Sequence, residues 1–89
     1  MVQSYIYSIV QNYEEDLQKV KQNGYALKFV KQQTPEICLE AVKSSGYALK
    51  WVKEQTPELC WAAVKQNGGA LYFVQNPVLR EQIKLHFNL

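Results

Sequence analysis

The sequence predicts an all-α fold, a compact right-handed α-solenoid of about eight short helices in four helix pairs with polar terminal caps. A unit of 22 residues occurs twice in succession, over 21–42 and 43–64, and 15 of its 22 positions are identical. A third copy begins at Lys65 and then departs from the pattern. Each unit also carries two helix starts and two helix stops. A fixed period of this length is typical of helical repeat proteins.

The first helix of each unit is predicted to start at Thr34-Pro35-Glu36, which recurs at 56–58. A Thr hydroxyl accepts a hydrogen bond from a free backbone N–H of the first turn. Pro suits the first helical position, because its missing N–H has no partner there in any case. A Glu in the first turn opposes the positive end of the helix dipole. The three residue types together predict a well-defined N-terminus.

Three equivalent glycines, Gly24, Gly46 and Gly68, are expected to end these helices. Gly after a Lys-bearing last turn is typical of a C′ residue in the left-handed conformation. A second helix, YALKFVKQQ in the first unit, is expected to run until the next Thr-Pro, because a residue before Pro is disfavoured in the α region. Helices of about 8–10 residues are marginal alone, so they must pack on their neighbours.

A single helical-repeat domain is predicted over 1–89, with an N-terminal cap pair (1–20), the repeats (21–75) and a C-terminal cap helix (76–89). Asn12 aligns with the N-cap Thr34 and is expected to separate two helices of the first pair. Asn76-Pro77 is expected to start the last helix. Repeated apolar positions predict the core, namely Leu27, Leu49, Leu71, Val30, Val52, Val74, Phe29, Trp51, Phe73, Ala26, Ala48, Ala70, Val20, Val42 and Val64.

The two cysteines, Cys38 and Cys60, occupy equivalent positions and are expected to be buried free thiols. A zinc site needs four ligands, and the single His is His86. A disulfide is disfavoured, because equivalent atoms of stacked helices lie about 9–10 Å apart and a bridge needs under about 7 Å. No cofactor or metal is expected. No secretory signal or membrane span is apparent, so a reducing cytoplasmic setting is the expectation.

Two sets of residues are candidate contacts for a partner. Lys21, Lys43 and Lys65 would form a basic ladder in stacked units, able to attract an acidic protein or nucleic acid. The alternative is that each Lys only opposes the dipole at a helix C-terminus. Nucleic acid is the less favoured partner, because the net charge is +2 with a single Arg.

The second set is aromatic and apolar. Tyr25 and Tyr47 recur at one position and are candidate protein contacts, or else cover the preceding turn. Trp61 is a candidate anchor, or else packs within the rim of the repeats. Tyr7 and Val10 belong to a first helix with surplus apolar residues, a candidate homodimer or partner surface, or else an ordinary cap.

Catalytic patterns are not apparent: no Gly-rich phosphate loop occurs, and neither Ser nor Cys has a plausible base. The predicted function is therefore a non-enzymatic protein–protein interaction module. One alternative is a small inhibitor that docks on a larger enzyme, as phages or mobile elements encode against host defences. Another is weak nucleic-acid binding through the lysine ladders, which would depend steeply on salt.

The run from Thr34 to Leu71 contains TPE, C, AVK, NG and AL-x-x-V elements. In these elements the chain, over about 21–75, resembles a short repeat family known as a domain of unknown function and found in bacteria, protists and giant viruses. The resemblance implies a helical repeat. It implies no activity or ligand.

Overall fold

The computed structural model describes residues 2–89, with side chains described from Asn12 onward. Over that range the chain forms seven helices and no β-strand. The α-helices are α1 (Val2–Gln22), α2 (Pro35–Ser44), α3 (Pro57–Gln66) and α4 (Pro77–Phe87). Three 3₁₀ helices alternate with them, over Gly24–Phe29, Gly46–Trp51 and Gly68–Phe73. The predicted all-α class is confirmed.

The helix starts read from the sequence are confirmed at α2, α3 and α4. The Thr34 hydroxyl accepts a hydrogen bond from the Ile37 N–H at 3.2 Å, and Thr56 accepts one from Leu59 at 3.3 Å. Asn76 caps α4, its side chain accepting from the N–H groups of Val78 and Leu79. Each of the three helices has its Pro in the first turn. These starts depend on adjacent residues only, which is why the sequence predicts them.

The predicted helix pair at the N-terminus is wrong, because one continuous helix, α1, replaces it. Asn12 lies inside α1 and does not start a helix. The residue after it is Tyr13, where α2 has Pro, and 2–22 contains neither Gly nor Pro. With every backbone N–H available for the i→i−4 ladder, nothing interrupts the helix. The chain therefore has seven helices over the described residues and not eight.

The second helix of each unit is also shorter and tighter than predicted. It is a 3₁₀ helix of six residues, and the following valine is extended, its N–H bonded three residues back. The six residues of each 3₁₀ helix must run back along an α-helix of ten residues, which is about 15 Å long. A 3₁₀ helix rises about 2.0 Å per residue and covers about 12 Å, whereas an α-helix would cover about 9 Å.

The glycines serve close packing, which corrects the predicted left-handed turn. Among the described residues no Gly has a positive φ. A Cβ at Gly24 would overlap the carbonyl oxygen of Ala41, and one at Gly46 would overlap that of Ala63. The first two 3₁₀ helices thus begin against the last turn of the following α-helix. Only glycine permits that approach.

Two layers of helices enclose the core. Consecutive α-helices contact each other, consecutive 3₁₀ helices contact each other, and each 3₁₀ helix packs on the α-helices before and after it. We call these the α layer and the 3₁₀ layer. The buried residues are Val20, Leu27, Val30, Ile37, Cys38, Ala41, Val42, Ala48, Leu49, Val52, Leu59, Cys60, Ala63, Val64, Ala70, Val74 and Ile83. The predicted burial of Phe29 is wrong, since it is 79% exposed. Four other predicted core residues are half-buried and pack against the core, namely Ala26, Trp51, Leu71 and Phe73.

Candidate binding surface

The outward side of the 3₁₀ layer is an aromatic surface. Side chains three positions apart eclipse each other in a 3₁₀ helix, so inward and outward residues separate cleanly. In the first such helix Leu27 is buried, whereas Tyr25 and Phe29 are exposed. The other two helices repeat this arrangement with half-buried or exposed rings. We define the aromatic face as Tyr25, Lys28, Phe29, Tyr47, Lys50, Trp51, Tyr72 and Phe73.

Aromatic rings on this face pair between units. The Tyr25 ring meets the Trp51 ring edge to face at a centroid distance of 5.3 Å, and Tyr47 meets Phe73 likewise at 5.9 Å. Such pairs stabilise by about 0.5–1.5 kcal/mol beyond their buried area. They also fix the rings, while Tyr25 and Tyr47 stay 44% and 37% exposed. Both tyrosines therefore contact the next unit and still present surface to a partner.

The third unit has no tyrosine at the repeat position of Tyr25 and Tyr47. Gly69 stands there, and the Tyr47 hydroxyl occupies the space that a Cβ of residue 69 would fill. The absence of a side chain at this position gives the Tyr47 ring room beside Phe73.

The two most exposed rings lie at opposite ends of the face. Phe29 has no aromatic residue 26 positions before it, the spacing of the other pairs, because Gln3 stands there. Tyr72 replaces the lysine of the other units and is 90% exposed. Sequence reasoning missed both residues, since it assigned Phe29 to the core and left Tyr72 unconsidered. The change from Lys to Tyr at one repeat position could have indicated Tyr72.

Lysines lie against the rings. The Nζ atoms of Lys28 and Lys50 are each 5.7 Å from the centroid of the neighbouring ring, Phe29 and Trp51. An ammonium in that position is attracted to the ring quadrupole, by about 0.5–1 kcal/mol at an exposed site. The pairing holds both charges at the surface of the face.

Two glutamines hold the 3₁₀ layer in register. The Gln33 amide donates to the Trp51 carbonyl at 2.7 Å and accepts from the Lys53 N–H at 3.0 Å. Gln55 makes the same two bonds one unit later, to Phe73 and Gln75, at 2.7 and 3.0 Å. We call these the glutamine bridges. In each bridge, a glutamine of one unit satisfies the backbone groups at the end of the 3₁₀ helix of the next unit. Sequence reasoning missed them, although Gln is identical at this position in both units.

The buried cysteines belong to the same arrangement. The Cys38 thiol donates to the Gln33 amide oxygen at 3.6 Å, and Cys60 donates to that of Gln55 at 3.5 Å. Burial raises the pKa of both thiols. Because the thiolate is the nucleophile, these protonated side chains are unreactive. The predicted burial of both cysteines is confirmed, and both are free thiols.

Trp61 lies away from the aromatic face. Its half-buried ring packs on α4, with centroid distances of 5.0 Å to His86 and 5.7 Å to Phe87. This position agrees with the alternative prediction for Trp61, which was packing within the rim of the repeats. Its role as a partner anchor stays a prediction.

The predicted basic ladder lies at another edge. Lys21, Lys43 and Lys65 are exposed in the last turns of α1, α2 and α3. Lys43 is 3.8 Å from the Glu40 carboxylate, an exposed pair of small energetic value. Their position at helix C-termini agrees with the interpretation that each Lys opposes the helix dipole. A role of these lysines in binding stays a prediction. Tyr7 and Val10 lie outside the residues whose side chains are described, so the predicted dimer surface stays a prediction too.

Shallow clefts line the edge where 3₁₀ helices lead into α-helices. One, of about 390 Å³, lies between units and is lined by Lys31, Lys53 and the Thr34 cap. Among residues with described side chains, no three His, Cys, Asp or Glu groups lie together to hold a metal ion. Over the described chain every helix is too short or too polar to cross a membrane.

A family model described as "Domain of unknown function (DUF4116)" matches the sequence twice, over 17–56 and 35–76. Together the two matches span 17–76, more than half of the chain. No curated protein and no solved structure matches it. The matched region contains α2, α3, all three 3₁₀ helices and the whole aromatic face.

Proposed function

The chain belongs to the DUF4116 family, and from that premise and the surface described above we propose that it is a non-enzymatic protein–protein interaction module. The aromatic face is the binding surface. This surface joins Phe29 and Tyr72 to the predicted contacts Tyr25 and Tyr47, and Trp61 lies outside it.

One observation carries the proposal, the exposure of large rings on a rigid scaffold. Phe29 and Tyr72 are 79% and 90% exposed at the two ends of a face whose middle rings are fixed by edge-to-face pairs. Tyr and Trp are enriched at binding hot spots, because they bury much area at a small cost in side-chain entropy. Exposed apolar rings that adjoin each other are typical of an interaction site.

The finer architecture that supports such a face is a right-handed α-solenoid with a 22-residue repeat. In its support, the glutamine bridges and the edge-to-face ring pairs recur at that period. In a solenoid each unit contacts mainly its neighbours, which leaves an extended surface for binding. A reducing, cytoplasmic setting is part of the proposal, supported by two buried cysteines that remain free thiols.

The test captures partners from the native source with the intact chain and with two double variants. Phe29→Ala with Tyr72→Ala removes the two most exposed rings of the face. Val78→Ala with Leu85→Ala is the matched control, since these side chains on α4 are 67% and 70% exposed. Circular dichroism must show the same helix content for all three proteins.

A protein retained by the intact chain and by the α4 control, but lost with the face variant, supports the proposal. Equal retention by all three would overturn it. Reversal of Lys21, Lys43 and Lys65 to Glu is a further comparison. If that change alone abolishes capture, the basic ladder is the binding surface and the aromatic face is not.

A further inference from the structure

We infer that the partner presents an extended acidic polypeptide segment to the aromatic face. This inference rests on the proposed function and adds the chemistry of the partner. It comes from the distribution of charge between the two layers and from the way lysines are held on the face.

The 3₁₀ layer and the extended residues after it carry positive charge only. The segments 24–31, 46–53 and 68–75 contain four lysines and no acidic residue. All eight acidic residues lie elsewhere, with the remaining six of the ten basic ones. These three segments thus have a charge of +4, two of it on the aromatic face, while the rest of the chain has −2, although the total is only +2. Opposite charge on a partner would steer it to this side.

The lysines are placed to reach one ligand. Lys31 and Lys53 line the same cleft between units, together with Glu54. A second cleft joins Lys31 and Phe29 to Glu15 and Asp16 of α1. Lys28 and Lys50 each lie against an aromatic ring, which restricts their side chains before a ligand arrives. Restricting them in the free protein lowers the entropy lost on binding. Carboxylates can accept from these ammonium groups while apolar side chains of the segment cover Phe29 and Tyr72.

The repeat also sets a spacing. Equivalent lysines of adjacent units are separated by one helix-packing distance, about 8–10 Å. Three residues of a polyproline II segment span about 9.3 Å and bring the fourth side chain back to the same side. An acidic residue at every third position therefore matches the pair Lys28 and Lys50, and likewise the pair Lys31 and Lys53.

Nucleic acid fits the face less well. Single-stranded binders stack bases on open ring faces. The Trp51 ring is already contacted by Tyr25 and by the Lys50 ammonium. Arginine, the preferred residue for phosphate, is absent from the face, and Arg80 on α4 donates to the Val74 carbonyl at 2.9 Å.

Calorimetric titration of the intact chain at low salt tests the inference with four probes of about twelve residues or nucleotides. One peptide has Glu at every third position. Its isomer has the same Glu residues in one block. A third peptide has Lys in place of Glu, and the fourth probe is oligothymidylate. We expect the spaced Glu peptide to bind more tightly than the blocked isomer and the Lys peptide not to bind.

Lys50→Glu with Lys53→Glu should weaken the spaced peptide about tenfold or more, as expected for reversing two surface charges. Lys21→Glu with Lys43→Glu is the matched control, since it reverses two exposed lysines at the other edge and should leave affinity nearly unchanged. Equal loss in both variants, or no binding of either Glu peptide, would overturn the inference. Tighter binding of oligothymidylate would replace it with a nucleic-acid partner.

Failure here is distinguishable from failure of the proposed function. In one outcome, the Phe29 and Tyr72 variant loses a captured partner although the intact chain does not bind the acidic peptides. That result would contradict the acidic segment and would leave the proposed interaction module unaffected. Retention of every captured protein by that variant would overturn the module itself.

Discussion

The α layer and the 3₁₀ layer of this protein are built by different means. α2 and α3 have their own Thr caps and Pro starts, and each contributes four of the buried core residues. The 3₁₀ helices are six residues long and depend on the next or previous unit for backbone partners. Charge divides in the same way, with every acidic residue outside the 3₁₀ layer.

This difference indicates a division of roles. The α layer supplies local structure and buried area, which determine stability. The 3₁₀ layer is positioned by that scaffold and presents rings and ammonium groups to solvent. Substitutions in the α layer and the core should therefore alter stability, whereas substitutions of the exposed outward residues of the 3₁₀ layer should alter binding and change stability little. Four predictions test this comparison, from the largest expected effect to the smallest.

The largest effect is the protection of the two thiols in the α layer. Cys38 and Cys60 are 4% and 1% exposed, so a thiol reagent reaches them only when the helices open. For a small domain, labelling should be on the order of a thousandfold slower than in the unfolded chain. The raised pKa slows it further at neutral pH. Stopped-flow labelling with and without denaturant measures this, and rapid native labelling of both would contradict burial.

Leu49→Ala should destabilise the protein by about 2–5 kcal/mol, because Leu49 is fully buried at the centre of the middle unit. Lys50→Ala, one residue further on, is the matched control and should change stability by less than about 1 kcal/mol, the value of its contact with the Trp51 ring. Denaturant unfolding followed by circular dichroism compares them. Similar losses would mean that inward and outward positions of the 3₁₀ helix do not separate.

Gln33→Glu should cost about 1–3 kcal/mol, because a carboxylate cannot donate to the half-buried Trp51 carbonyl. Gln32→Glu makes the same charge change on the exposed residue beside it and should be nearly neutral. The introduced carboxyl at position 33 can donate once protonated. Its pKa is thereby raised, and the deficit should shrink as the pH falls below that pKa. Equal effects at both positions would show that the glutamine bridge does not stabilise the layer.

Phe29→Ala should change stability least, by under about 0.5 kcal/mol, because its ring is largely in water. The comparison is Phe73→Ala, whose ring is half-buried against Tyr47. The melting temperatures of the two variants, measured by thermal unfolding, compare the two losses of stability. A larger loss at Phe29 than at Phe73 would place Phe29 in the core, as the sequence alone suggested.

The sequence predicts the α layer better than the 3₁₀ layer for a physical reason. Thr34 and Pro35 determine a helix start through bonds within one turn, so the two residues suffice. YALKFV is compatible with either helix type, and the choice depends on the length of the neighbouring α-helix. The bridge from Gln33 reaches residues 18 and 20 positions away, which no local pattern reveals.

The site was predicted in part for the same reason. Tyr25 and Tyr47 recur at one position, so the sequence identifies them. Phe29 shares its repeat position with Trp51 and Phe73, so the pattern assigns all three to the core, and the exposure of Phe29 is visible only in the structure. The pattern assigns Gly24 to a turn because its close contact with the Ala41 carbonyl is invisible in sequence.

Amide hydrogen exchange on the complex with a captured partner tests the central claim most directly. If the aromatic face is the binding surface, exchange should slow on binding within 24–31, 46–53 and 68–75. The last turns of α1, α2 and α3, which carry the exposed Lys21, Lys43 and Lys65, should keep their free-state rates. Protection confined to α1 or α4, with unchanged exchange across the 3₁₀ layer, would contradict the assignment of binding to this face.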